Sequence, residues 1–183
     1  MYIIIGASSF IGVYTAEEFL KRKCEIIVTG RNNKFKEHYD KCGVKYINLD
    51  LANEADFDQL PKTGVDGVIL LAGLLPANSE TNLDVDENAA DYFRINTIGT
   101  INVLEYCRKN GIKRVISNCS YADVYGAWGK KVITEEEPRS FKYKGDHAVY
   151  VFSKNAANDT MEYYNQQHGM KNAWFRFPPV YGV

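Results

Sequence analysis

Tyr150 and Lys154, in the run Tyr-Val-Phe-Ser-Lys, stand four residues apart. On a helix that spacing puts both side chains on one face, where a lysine ammonium beside a phenol favours its ionised form. A free phenol, with a pKa of about 10, is a poor base near neutrality, so a positive neighbour is the minimum that tyrosine proton transfer requires. The same pair on a solvated helix would be two neighbours without chemistry. A second constellation, Gly6-Ala7-Ser8-Ser9-Phe10-Ile11-Gly12, gives the pair its weight. It follows the first apolar run, and the pair comes about 140 residues later, after several strand and helix alternations.

A turn rich in small residues between a strand and a helix lets a pyrophosphate approach backbone amides at the helix amino terminus. Gly6 would supply the tight turn and Gly12 the close packing of helix on strand, with Ser8 and Ser9 offering hydroxyls to phosphate oxygens. The alternative is a glycine-bounded helix start with Ser9 as its cap. At the end of the second strand, an acidic residue would bind a ribose 2′-hydroxyl, but the chain has Gly30-Arg31-Asn32-Asn33-Lys34 there. A guanidinium suits a 2′-phosphate better, so the reading is NAD(P) leaning to NADP, with a solvated Arg31 as the other possibility. Asp50, after the third strand, is placed to accept from an adenine amino group or to cap the next helix.

The elements that must position these groups follow from hydrophobic periodicity. Tyr2 to Ile5, Glu25 to Thr29, Val44 to Asn48 and Gly67 to Leu71 read as buried strands, Arg114 to Ser117 begins a fifth, and Asn172 to Phe177 is a sixth. Helices are expected over Phe10 to Arg22, from about Glu87 to Lys109, and from about His147 to His168. Asn78 to Asn88 and Tyr121 to Asp146 read as loops. Strands apolar on both faces and separated by helices require a parallel sheet covered on both sides: an α/β, doubly wound, Rossmann-like fold.

At 183 residues, with 45% hydrophobic and 25% charged residues, the chain fits a single globular domain. A net charge of −1 with scattered basic residues argues against nucleic acid or anionic membranes as partners. No apolar stretch reaches the roughly 18 residues of a membrane span, and the expected location is cytoplasmic. Cys24, Cys42, Cys107 and Cys119 lack metal-site spacing and disulfide density, so they read as reduced thiols, mostly core fillers, with no metal expected.

Taken together, the chain resembles the extended short-chain dehydrogenase/reductase superfamily, in particular its NAD-dependent epimerase/dehydratase family, whose members mostly act on nucleotide sugars. The segments carrying the likeness are 6–12, Asp50-Leu51, Leu71-Ala72-Gly73, Asn96-Thr97-Ile98-Gly99-Thr100, Val124-Tyr125-Gly126, Tyr150 to Lys154, and Arg176 to Gly182. The resemblance implies that residues 1–183 form the NAD(P)-binding domain. It adds Phe10, Ile11, Leu51, Leu71, Ala72, Gly73, Phe177 and Val180 to the cofactor-binding set, together with Tyr150 and Lys154. Tyr150 would exchange a proton with a sugar hydroxyl while hydride moves between that carbon and the nicotinamide, and Lys154 would lower its pKa and hold the nicotinamide ribose.

The family's serine or threonine lies three residues before Val-Tyr-Gly, where this chain has Tyr121. The role is therefore given to Ser120, one residue early, with Ser117 and Tyr121 as alternatives and Cys119 last. Asn96 would be structural or touch the cofactor indirectly. Ser9 replaces the middle glycine of the turn, Pro179 takes the place of an asparagine that commonly touches substrate, and Leu75 stands where some epimerases have lysine. The family continues past this point with the segment that forms most of the sugar pocket, so the substrate region is expected beyond Val183. Two functions follow: an epimerase, dehydratase or reductase of nucleotide sugars, or an NAD(P)-binding sensor that kept the fold without the chemistry. The family's pairing of the two long helices implies a homodimer through the regions near 87–109 and 147–168.

Overall fold

The computed structural model describes residues 1–76, 89–127, 129–130, 132–140 and 146–182. Six strands, β1 (Tyr2–Ile5), β2 (Ile26–Gly30), β3 (Lys45–Asn48), β4 (Gly67–Leu70), β5 (Val115–Ser120) and β6 (Ala173–Phe177), form one parallel sheet in the order β3-β2-β1-β4-β5-β6. The order reverses between β1 and β4, which opens a crevice at their carboxyl ends.

Because neighbouring side chains on a strand point to opposite faces, β1 feeds two cores. Ile3 and Ile5 pack with Val68, Leu70, Val103, Leu104 and Met161, whereas Ile4 packs with Ala16, Val28, Tyr39 and Tyr46 on the other face. These three isoleucines are at most 1% exposed, and each such burial is worth roughly 2 kcal/mol. Helices α1 (Phe10–Lys21) and α2 (Lys36–Lys41) cover the second face. The first is covered by α4 (Gly99–Lys109) and α5 (Asp146–His168).

Ahead of α4, α3 (Ala89–Tyr92) runs into a π-helical turn, Phe93–Ile98, which carries the buried Asn96. Such a turn holds one extra residue per turn and often marks a functional site.

Several expectations need adjustment. The β2–β3 connection contains α2, which periodicity misses because its buried face is one residue, Tyr39. Beyond Ser117, β5 continues to Ser120, since its polar residues face the crevice rather than ending the strand. The polar segment 78–88, with the expected helix start near Glu87, lies outside the described residues, as does part of the 121–146 loop; within that loop Tyr121–Ala127 is a 3-10 helix. All four cysteines are free, but only Cys107 and Cys119 are buried; Cys24 is half-buried and Cys42 exposed, so the core-filler reading holds for two. Among the described residues, no helix is long and apolar enough to cross a membrane.

Candidate functional site

The turn after β1 is shaped by close approach. Gly6 has φ +93, and a Cβ there would lie 2.4 Å from the Ala72 nitrogen, so only glycine lets the β1 and β4 ends meet. A Cβ on Gly12 would stand 2.2 Å from the Gly6 carbonyl oxygen, which holds α1 against the strand end. Ser9 takes an ordinary extended conformation, φ −83 and ψ 163. Its hydroxyl donates to the Gly6 carbonyl at 2.7 Å and accepts from the Gly12 amide at 3.1 Å. It is the α1 cap, and its proton is committed, which corrects the expectation that Ser9 offers a hydroxyl to phosphate. The amides of Phe10 and Ile11, in the first turn of α1, have no bond within the helix and remain donors to an anion.

A cavity of about 710 Å3 opens beside these amides. Ser9, Phe10, Ile11 and Leu71 line one side, Ser120 and Tyr150 another, and Phe177 and Val180 a third. Ala72 and Gly73 are not in its lining: Ala72 meets Gly6, and Gly73 backs onto the Asn96 side chain. Asn96 accepts from the Leu74 amide at 2.7 Å, and it donates to the Leu74 carbonyl at 3.1 Å and the Ser153 hydroxyl at 3.0 Å. Asn96 thus ties the segment after β4 to α5, a structural role.

The remaining predicted residues lie outside the cavity. Ser8 sits beside Gly30 at the β2 end. Arg31 is exposed there, with no carboxylate in ion-pair range among the described residues. Asp50 accepts from the Ala52 amide at 2.9 Å, while the cap of the following 3-10 helix, Glu54–Gln59, is Asn53. That corrects the capping alternative for Asp50: its carboxylate closes its own short turn. Leu51 is buried against Gly99 and is a core residue.

Tyr150 and Lys154 do share a face of α5 and both are buried, 6% and 5% exposed. Their electrostatics differ from expectation. Burial pushes the Tyr150 phenol well above its ordinary value, the adjacent Cys119 thiol reinforces this, and the Ser120 hydroxyl opposes it. Burial brings the Lys154 ammonium down to about 8, and its Nζ lies 3.4 Å from the Asn118 Oδ1. Burial thus disfavours the charged form of each group.

Of the candidates for the hydroxyl role, Ser120 and Tyr121 line the cavity, and so does Cys119, whereas Ser117 does not. Sequence reasoning missed Asn118, which also lines the cavity and meets Lys154. Extending β5 by one strand period from Ser120 would have found it. It also missed Asp123, 2% exposed, which takes an ion pair from Arg176 Nε at 3.1 Å behind the Ser120 turn.

A family profile described as "NAD dependent epimerase/dehydratase family" matches residues 2–183. The chain belongs to the NAD-dependent epimerase/dehydratase family. Its curated relatives include a putative UDP-glucose 4-epimerase of Methanocaldococcus jannaschii, 24% identical over 100% of this chain and 56% of the relative. Another is the mouse decarboxylating sterol-4-alpha-carboxylate 3-dehydrogenase, 30% identical over 76% of this chain and 35% of that protein. Among solved structures, the Thermus thermophilus UDP-glucose 4-epimerase in complex with NAD superposes with a TM-score of 0.76 at 24% identity, covering 96% of this chain and 54% of that one. The chain therefore spans between about a third and about a half of the length of these family members. The residues present fit the family's dinucleotide: a glycine-shaped turn, two unbonded helix amides and an adjoining cavity.

Proposed function

We propose that the protein is an NAD(P)-dependent epimerase/dehydratase or reductase acting on a nucleotide sugar, with proton transfer by Tyr150. One observation carries the reading: Tyr150 and Ser120 line the same cavity as the glycine-turn residues Ser9, Phe10 and Ile11. A proton donor and a pyrophosphate-binding turn on one cavity are what coupled proton and hydride transfer needs.

The glycine turn and the Phe10 and Ile11 amides would hold the pyrophosphate, and Leu71, Phe177 and Val180 would flank the rest of the dinucleotide. Bound there, the nicotinamide supplies the hydride acceptor or donor. Tyr150 holds the proton exchanged with the sugar oxygen, and Ser120 orients that oxygen and the phenol. Lys154 holds the nicotinamide ribose, with Asn118 setting its position. Arg31 at the β2 end favours NADP over NAD, since its guanidinium has no competing carboxylate among the described residues.

Two finer points belong to the same reading. Exposed Phe93 and Ile98 on the helical run 89–109, with Phe152 and Tyr163 on α5, support a homodimer through those helices. Four free cysteines support a reducing, cytoplasmic location. The competing sensor reading predicts tight cofactor binding without turnover.

Replacing Tyr150 with Phe separates the two. The proposal expects turnover of a UDP-sugar to fall by about 10²- to 10⁴-fold while NAD(P) affinity stays within a few-fold. Turnover unchanged by Tyr150→Phe would overturn the assignment.

A further inference from the structure

Two tyrosines from the β2–β3 region reach the two loops that border the cofactor crevice. Tyr39 on α2 and Tyr46 on β3 stack, with ring centroids 5.8 Å apart and planes 21° apart. Tyr39 is 1% exposed and donates its hydroxyl to the Ala7 carbonyl at 2.7 Å, inside the glycine turn. Tyr46, 8% exposed, donates to the Asn32 carbonyl at 2.5 Å, in the loop after β2, and its hydroxyl also meets Ser8.

Gly30 completes the arrangement. A Cβ there would lie 2.1 Å from the Tyr46 hydroxyl and 2.7 Å from the Ser8 hydroxyl, so the absence of a side chain at 30 is what admits the Tyr46 oxygen. Asn32, held at its carbonyl by Tyr46, uses its own side chain to accept from the Lys34 amide at 3.0 Å. The residue between Gly30 and Asn32 is Arg31, exposed and without a carboxylate partner among the described residues. Its backbone is therefore set on both sides, on one by a position that tolerates no side chain and on the other by a buried phenol.

Resting on the cofactor reading above, we infer that Tyr46 is a specificity-determining positioning residue: its hydroxyl fixes the Gly30–Arg31–Asn32 turn so that the Arg31 guanidinium meets a phosphate on the cofactor's adenosine ribose. Tyr46 touches neither cofactor nor substrate. It acts through Arg31, by removing backbone freedom that would otherwise be lost on binding. Tyr39, by contrast, holds the pyrophosphate turn common to both dinucleotides, so its hydroxyl affects NADH and NADPH alike.

The test is a titration of NADPH and NADH into the 183-residue chain and its Tyr46→Phe and Tyr39→Phe variants, with melting temperature followed in parallel. The wild type is expected to prefer NADPH. In Tyr46→Phe, NADPH affinity falls about three- to tenfold, the loss of one hydrogen bond, while NADH affinity stays within about twofold. Tyr39→Phe lowers both affinities together. A purely structural Tyr46 would lower both alike, and that result, or an unchanged ratio, overturns the inference. If Tyr46→Phe does not fold, Asn32→Gly, an exposed position where glycine returns backbone freedom to the same turn, must give the same selective loss. A wild type that binds neither dinucleotide removes the cofactor reading itself; one that binds both equally leaves that reading intact and removes only the roles of Arg31 and Tyr46.

Discussion

The two sides of the crevice are built on different principles. At the carboxyl ends of β1 and β2, side-chain hydroxyls hold the turns, Ser9 capping α1, Tyr39 holding Ala7 and Tyr46 holding Asn32, while the buried Thr29 Oγ1 lacks a partner among the described residues. On the β5–α5 side, titratable and amide groups are buried together. Among the described residues, Asp123 Oδ1, both side-chain polar atoms of Asn155 and Asn158 Nδ2 have no hydrogen-bond partner, and Tyr150 and Lys154 are shifted in opposite directions by desolvation. The contrast teaches where each side's free energy goes. One side is preorganised to bind, and the other holds costly polar groups where proton transfer is proposed.

The sharpest way to break that contrast is at Gly6. Gly6→Ala puts a methyl 2.4 Å from the Ala72 nitrogen at φ +93 and should cost roughly 2–5 kcal/mol in denaturant unfolding, with loss of dinucleotide binding. Unchanged stability would mean that the turn is not the rigid element described.

Next comes the Asp123–Arg176 pair. Arg176 also donates to the Glu135 carbonyl at 2.8 Å, and the Ser140 amide donates to the Asp123 carbonyl at 2.8 Å, so the pair joins the Ser120 turn, segment 132–140 and β6. Asp123→Ala leaves a largely buried guanidinium without its partner and should destabilise by about 3 kcal/mol. It should also lower turnover more than cofactor affinity, since it lies behind Ser120 and not behind the glycine turn.

The smallest of the three effects carries a sign. Lys154 has a folded-state value of about 8, below the ordinary 10.5, so the unfolded chain binds more protons between those values and wild-type stability rises as pH climbs from about 8 to 10.5. Below pH 8 the buried ammonium is a constant penalty. Lys154→Met should therefore be more stable at pH 7, by at most about 3 kcal/mol, with the difference closing towards pH 10.5, while activity is lost. A variant less stable at pH 7 would show that the ammonium is compensated in the folded chain.

What the sequence made legible divides along the same line. Strand and helix order, the parallel sheet and the joint presence of Tyr150 and Lys154 on α5 follow from periodicity, which is local. The glycine turn was legible because two glycines bracketing a strand-to-helix junction are a local signal, and the atoms nearest a Cβ on Gly12 belong to Gly6, Ala7 and Ser9, although those that forbid a side chain at Gly6 belong to Ala72, sixty-six residues away. What stayed hidden depends on neighbours that only the tertiary fold supplies. Ser9 spends its hydroxyl on the cap, Lys154 faces Asn118 from β5, and Asp123 meets Arg176 fifty-three residues away. Nothing in the spacing of Tyr39 and Tyr46 announces that each hydroxyl reaches a different loop of the crevice.

The central claim is that one cavity serves both the dinucleotide and the Tyr150 phenol. A crystal structure of the chain with bound NADPH tests it most directly. The account predicts the pyrophosphate on the Phe10 and Ile11 amides and the nicotinamide ring against Tyr150 and Ser120. A dinucleotide seated elsewhere, or a nicotinamide ring that leaves Tyr150 out of reach, would contradict it.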